Sequence, residues 1–267
     1  MAITMLLAQN AAIVVLCFAA LWGISIAIRD VSFIDSWWAL GMVVLAWASF
    51  LATGPVTDRK VVLVALCTSW GARLGVYLLW RWRKNGPDRR YQTMAGKAQS
   101  ERGIGFAHWS LTAVFALQGP LQFVVALPVQ LGMLGDRPLG LLAAAGIVLA
   151  VIGIVFESVG DAQLAVFKAD PANRERVLDI GLWRYTRHPN YFGDACVWWG
   201  LWLIATESGW IGAASVVGPV LLTFLLTRWS GMPTTEGRMR RKKPGYEDYV
   251  ARTPAFVPWL PKARPPV

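Results

Sequence analysis

The residues best suited to chemistry fall in one run, Gly181-Leu182-Trp183-Arg184-Tyr185-Thr186-Arg187-His188-Pro189-Asn190-Tyr191-Phe192-Gly193-Asp194. Arg184, Arg187 and His188 offer N–H donors just ahead of Pro189, a residue tolerated in the first turn of a helix because its missing N–H is not needed there. The N-terminus of such a helix itself favours anions. Asn190 can donate and accept at once, and Asp194 follows it by one turn. Tyr185 and Tyr191 add two phenols. A segment that only anchors a chain in lipid needs none of these groups, so the run reads as a small-molecule site.

Other polar residues stand where apolar sequence surrounds them, and ionisable groups in such positions default to function. Asp35, in Ser32-Phe33-Ile34-Asp35-Ser36-Trp37-Trp38, is either a working acid or the structural partner of Arg73. Arg73 and Tyr77 are four apart and share a helix face, with Trp70 on the same side. Glu157 and Asp161 repeat that spacing, with Gly153 and Gly160 nearby to admit a close neighbour. Two acids on one face repel when both are ionised. They call for donors such as ribose hydroxyls, an amide or an arginine. Gln118 and Gln122, also four apart, read more simply as hydrogen bonds between helices.

The elements that hold these residues are apolar blocks of membrane-spanning length. The chain has 267 residues, 55% hydrophobic and only 16% charged, where a soluble domain carries about a quarter. Blocks of roughly 20 apolar residues fall at 3–28, 33–51, 61–80, 106–134, 139–167, 191–205 and 210–226. No long stretch alternates with period two, which argues against a β-barrel. The first block lacks a basic leader and a clean cleavage site, so it is expected to remain as a helix. The expectation is an all-α, polytopic membrane bundle of about seven transmembrane helices.

The net charge of +10 does not point to nucleic acid, because its distribution is that of the positive-inside rule. Arg81, Arg83, Lys84, Arg89, Arg90, Lys97 and Arg102 surround one connection. Lys168, Arg174, Arg176, Arg184 and Arg187 fill a second, and Arg228, Arg238, Arg240, Arg241, Lys242 and Lys243 open the tail. The alternate connections hold only Arg59, Lys60 and Arg137. This asymmetry puts the N-terminus outside and the C-terminus in the cytoplasm, in what is expected to be a bacterial inner membrane. The long polar connections, 85–105 and 168–189, then face the cytoplasm with the tail. Such a protein takes a soluble reactant from the cytoplasm and a lipophilic one from the bilayer, with membrane lipids as surroundings and no obligatory protein partner evident.

Cys17, Cys67 and Cys196 share no metal-ligand spacing and only His108 and His188 are present, so no metal site is expected. The 15 Trp residues suit membrane interfaces. Gly103-Ile104-Gly105 follows no strand and is no dinucleotide fingerprint. Any nucleotide site must be built from helices and loops.

The run 181–194, together with Tyr246-Glu247-Asp248-Tyr249 and Phe256-Val257-Pro258-Trp259, resembles the steroid 5α-reductase family, most of all its bacterial branch. The resemblance spans most of the chain and is specific in the C-terminal half. It implies a seven-helix bundle that binds NADPH from the cytoplasm and reduces a carbon–carbon double bond conjugated to a carbonyl. One membrane reductase domain over 1–267 follows, with the substrate among the N-terminal helices and most cofactor contacts in 157–267.

Carried over by motif, Asn190 faces the nicotinamide amide and Asp194 is the acid one turn later. Asp161 resembles the aspartate ahead of the long loop, and Lys168 and Arg176 stand where two arginines meet the cofactor. Glu236 and Arg240 occupy roughly the place of a tail histidine and tyrosine. Arg81 and Lys84 resemble the pair that serves the adenosine phosphate. Glu157, Tyr185, Arg187, His188 and Tyr191 complete the expected cofactor set. The family's glutamine–glutamate pair on the second span is missing here, where Asp35 is the nearest acid, and its catalytic tyrosine aligns with Trp70, leaving Tyr77. Asp35 and Tyr77 are therefore the expected catalytic donors to the carbonyl of a steroid, sterol or other lipid enone.

The stretch Arg187 to Gly193, with a later Glu and Tyr-x-x-Tyr before Pro, also resembles membrane methyltransferases of the isoprenylcysteine carboxyl type, which use S-adenosylmethionine. Asp194, Glu157 and Asp161 favour the reductase. A transporter or lipid-binding scaffold is the non-enzyme alternative, disfavoured because no repeated halves with broken helices are visible.

Overall fold

The structure, a computed structural model, describes residues 2–262. Among them every regular element is helical. Helix α1 covers Ala2–Ile28, α2 Ile34–Ala52 and α3 Asp58–Asn85. Then come α4, Arg89–Arg102, and the bent pair α5, Phe106–Val125, and α6, Leu127–Leu134. Helix α7 covers Leu141–Ala169 and α8 Pro189–Thr206. A composite run of helical turns, α9, covers Trp210–Lys242 with a π turn at Leu225–Trp229, and α10 covers Tyr246–Arg252.

Five of these, α1, α2, α3, α7 and α9, are long and apolar enough to cross a membrane, and the α5–α6 pair, bent by 49°, makes a sixth if it counts as one span. The chain is an integral membrane protein. The bend falls at Ala126, two residues before Pro128, which has no N–H to continue the ladder. The apolar block at 191–205 is helical and starts two residues earlier, at Pro189, but α8 is not among those five.

The connections differ more from expectation. The polar stretch 85–105 contains α4, which Asp88 caps by accepting the Arg90 N–H at 2.8 Å and Gly103 ends at φ 65°. The tail folds as well: its last turns are the Met232–Lys242 section of α9 and helix α10.

By internal contacts the chain forms two compact units. The first is Met1–Ala144 with Leu201–Gly218, the second Ala145–Gly200 with Pro219–Val267.

In the first unit α2 and α3 pack backbone to backbone. A Cβ added at Gly71 would lie 2.9 Å from the Ala39 carbonyl oxygen, and one at Gly75 3.2 Å from that of Ser36. Small residues four apart permit this approach, which in lipid supplies the packing that water would otherwise drive. Polar side chains join the helices within the apolar interior. Asn10 donates to Ser49 Oγ at 2.8 Å and to Gln130 Oε1 at 3.0 Å, and Gln122 donates to the Trp37 and Trp38 carbonyls. Gln122 thus plays the interhelical role its sequence suggested. Asp30 fixes the α1–α2 turn: one oxygen accepts from the Ser32 N–H and hydroxyl, the other from Trp82 Nε1 at 2.7 Å. Ser32 Oγ in turn accepts the Asp88 N–H, which holds the start of α4. Glu207 caps α7 by accepting the Gly140 and Leu142 N–H groups. Burial pulls its carboxyl up, but the amides of Gly140, Ala143 and Leu142 prevail and hold it below the usual carboxylate range.

In the second unit α7 and α8 touch along a glycine seam. A Cβ at Gly193 would meet the Gly153 carbonyl oxygen at 2.6 Å, one at Gly200 the Gly146 carbonyl oxygen at 2.5 Å, and one at Gly160 the Pro189 ring at 3.1 Å. The glycines recur every seven residues on both helices, so the contact runs for several turns on one face.

Candidate functional site

The second unit gathers most of the residues singled out by sequence. The glycine seam brings the start of α8 against the acids of α7, and Asn190 Nδ2 donates to Asp161 Oδ1 at 3.3 Å. This is the amide donor that two acids on one face require. Glu157, Asp161 and Asp194 are all buried, at 3%, 7% and 8% exposure, and Gly193 packs directly on the Glu157 backbone.

A second cluster ties the run 181–194 to the tail. Arg187 Nε and Nη2 reach Glu236 Oε1, each at 2.9 Å, and Nη1 donates to the Thr253 and Val250 carbonyls at 2.6 and 3.2 Å. His188 Nε2 meets the same Glu236 oxygen at 3.1 Å, and its ring stacks on Tyr191 with centroids 5.1 Å apart. Burial lowers the His188 pKa, and hydrogen bonding and charge from Glu236 work against that. Tyr249 donates to the Trp183 carbonyl at 2.5 Å, Trp183 Nε1 donates to that of Gly160, and Thr186 Oγ1 donates to the Phe256 carbonyl. Burial, with the Glu236 charge, pushes the Tyr246 phenol up to about 12.

The donors expected at the head of α8 are therefore not all turned outward. Every guanidinium nitrogen of Arg187 is engaged by the chain itself, and the physical reason is Glu236: a half-buried carboxylate draws the nearest forked cation. Its place in the site is to fix the run against the tail. The outward cations are others. Lys168, Arg174, Arg176 and Arg184 are exposed, Arg176 donating to Asn173 Oδ1 at 3.3 Å, and exposed Arg240 pairs with Glu247. Tyr185 is 38% exposed, and its carbonyl accepts the Trp259 N–H.

Asp35, Tyr77 and Lys84 belong to the first unit. Asp35 is not the partner of Arg73. Its Oδ1 accepts from the Tyr91 hydroxyl at 2.8 Å and its Oδ2 from Arg90 at 3.2 Å. Arg90 also forks onto Asp88, the cap of its own helix. Burial, reinforced by the Asp35 charge, raises the Tyr91 phenol above its usual range, so Tyr91 stays a donor. Tyr77 is not among the hydrogen-bond partners of Asp35. Its ring stacks on Trp80 at 6.2 Å and faces Arg81, while the Lys84 ammonium sits 5.0 Å from the Trp80 ring. Sequence reasoning missed Tyr91, which lay in an apparent loop. The signal that would have found it is the Asp88…Gly103 cap pair, which turns 89–102 into a helix and places Tyr91 in its first turn.

Among the described residues no group of three or more His, Cys, Asp or Glu side chains is arranged to hold a metal ion.

Fold and site define a polytopic helical membrane protein with a polar cluster at the head of one helix and a charged tail folded onto it. The chain belongs to the family described as "Protein of unknown function (DUF1295)", whose model matches residues 21–253. Neither the curated proteins nor the solved structures yield a match.

Proposed function

We propose that this protein is a membrane NADPH-dependent reductase of the carbon–carbon double bond of a lipophilic enone, in line with the resemblance of the run 181–194 and the tail to steroid 5α-reductases. The observation that carries the reading is Asn190. It gives one N–H to buried Asp161, and among the described residues nothing else takes its carbonyl oxygen or second N–H, the complement of a primary carboxamide such as that of nicotinamide. Exposed Lys168, Arg174, Arg176 and Arg184, all on the connection that leads into α8 or at the start of that connection, supply cations for phosphates. When bound, NADPH supplies a hydride to the β-carbon of the enone, and the α-carbon takes a proton.

In this reading the protein's own share is placement and electrostatics. Asn190, Asp161 and Asp194 orient the carboxamide, and Arg187 with Glu236 keeps the helix head fixed. The proposed donors to the carbonyl oxygen, where negative charge grows during the reaction, are Asp35 and Tyr77. Tyr91, already presenting a proton to Asp35, is suited to that task beside Asp35 and Tyr77. The lysine and arginine asymmetry supports an outside N-terminus, cytoplasmic basic connections and a bacterial inner membrane.

Arg187, His188, Glu236 and Tyr249, which one cluster joins, also belong to the methyltransferase resemblance, so S-adenosylmethionine is the second ligand to try. The test is titration of the solubilised full chain with NADPH, followed by cofactor fluorescence. NADPH should bind more tightly than NADH, and Asn190→Ala should weaken it by about tenfold or more, the cost of a lost buried hydrogen bond. Retention of S-adenosylmethionine without any NADPH response would replace this reading by the second.

A further inference from the structure

The first unit carries a cavity of about 650 Å³ at the end where α2 turns into α3, lined by Met5, Leu6, Thr53, Lys60, Met133 and Asp136 among others. That size falls in the range of small-molecule sites, about 300–1,000 Å³. The cavity has no part in the reading above. Asp35 opens α2 and the cavity lies beyond its last residue, Ala52, so the two are roughly 25 Å apart along the helix at its usual rise.

Lys60 gives the cavity its character. Its residue is 4% exposed, and among the described residues its ammonium donates to one acceptor, the Pro55 carbonyl at 2.8 Å. Two of the three donors of an ammonium remain, and among the described residues no carboxylate forms an ion pair with Lys60. Asp136 lines the same cavity without doing so. An enclosed cation without a counter-ion is costly, more so in the first turn of α3, where the helix favours negative charge. The neighbouring Arg59, 1% exposed, has Nε and Nη1 buried without a hydrogen-bond partner. Met5, Leu6 and Met133 form the apolar part of the lining, and the two methionines are flexible side chains that adapt to alkyl chains, while Gln9, Thr53 and Thr57 add neutral polar groups.

We infer that this cavity binds an anionic phosphate group held by Lys60, with the alkyl portion of an amphiphile against Met5, Leu6 and Met133. Phosphate is the shared chemistry. A phospholipid headgroup and free phosphate are its two sources.

The test uses the solubilised full chain, with thermal unfolding and native mass spectrometry after incubation with phosphatidylglycerol, with phosphatidylethanolamine, or with inorganic phosphate alone. One retained phospholipid per chain and a raised unfolding temperature are expected. Lys60→Gln should lower retention about tenfold or more, as loss of a charged hydrogen bond does. Lys97→Gln, on α4, should leave it unchanged. Leu134→Trp, which fills the cavity and keeps Lys60, should also displace the lipid, which guards against a Lys60 variant that merely folds poorly. Stabilisation by inorganic phosphate alone, lost in Lys60→Gln, would keep the site and assign it to the free ion. Equal retention by wild type and Lys60→Gln, equal losses in both lysine variants, or no response to any of the three probes would overturn the inference.

Discussion

Arg187 and Arg90 each bind a carboxylate beside a tyrosine, and the two clusters are held in opposite ways. In the second unit the Arg187 and Glu236 side chains are 10% and 14% exposed, and the arginine makes four acceptor contacts with three residues of the folded tail. In the first unit Arg90 is 42% exposed and Asp35 26%, and both Arg90 and Tyr91 come from the first turn of α4. The lesson is one of surroundings. A forked cation enclosed by chain groups becomes part of the framework, whereas the same cation at a surface, on a short helix, leaves its carboxylate open to exchange for another partner.

The sharpest way to break this comparison is Glu236→Ala. It leaves Arg187 and His188 without their common acceptor, and truncating one partner of an enclosed pair costs about 3 kcal/mol. The unfolding temperature of the solubilised full chain should fall by many degrees, while Glu236→Gln, which keeps an acceptor, falls less. Near-equality of Glu236→Ala with wild type would mean that the tail is held by its backbone contacts alone.

Gly193→Val tests the seam that places Asn190 beside Asp161. Its side chain would run into the Gly153 carbonyl and the Glu157 backbone, which cannot swing aside. Overpacking of about 1–3 kcal/mol is expected, with loss of NADPH affinity in the same variant. Stability lost with affinity intact would separate the seam from the site.

Asp35→Asn should do little to folding, no more than about 1 kcal/mol, because its arginine partner is 42% exposed and the pair is screened by solvent. Its effect should appear in hydride transfer, with NADPH affinity close to wild type. A large stability loss would place Asp35 with the enclosed cluster after all.

The smallest effect is that of pH through His188. An unfolded imidazole titrates near 6.5, and burial holds the folded one lower. Just below pH 6.5 the unfolded chain binds more protons than the folded one. Stability is therefore complete above that value and declines as pH falls through the window below it. Unfolding temperatures measured from about pH 7.5 down to about pH 5.5 should decline, and less so in His188→Gln. Identical pH profiles for the two would assign the acid sensitivity to other groups.

The apolar blocks were legible in the sequence because lipid demands continuous apolar length, and length is a local property. So were Pro189 as the head of α8 and the glycine spacing on α7. Helix α4 was hidden by its polarity: with no apolar face to mark its period, only Asp88 and Gly103 announced it. Of the two readings open for Asp35, the pairing with Arg73 is not the one formed, for a different reason. Spacing shows which residues share a face of one helix, but the partner of a carboxylate is whichever donor the packing delivers, here Tyr91 and Arg90. In the same way the sequence alone singled out Arg187, His188, Asn190 and Glu236 as candidates for the polar chemistry. Only the tertiary structure decided that Arg187 turns to Glu236 and Thr253 while Asn190 keeps half its amide open. Those contacts join residues about fifty or more positions apart, and no local pattern encodes them.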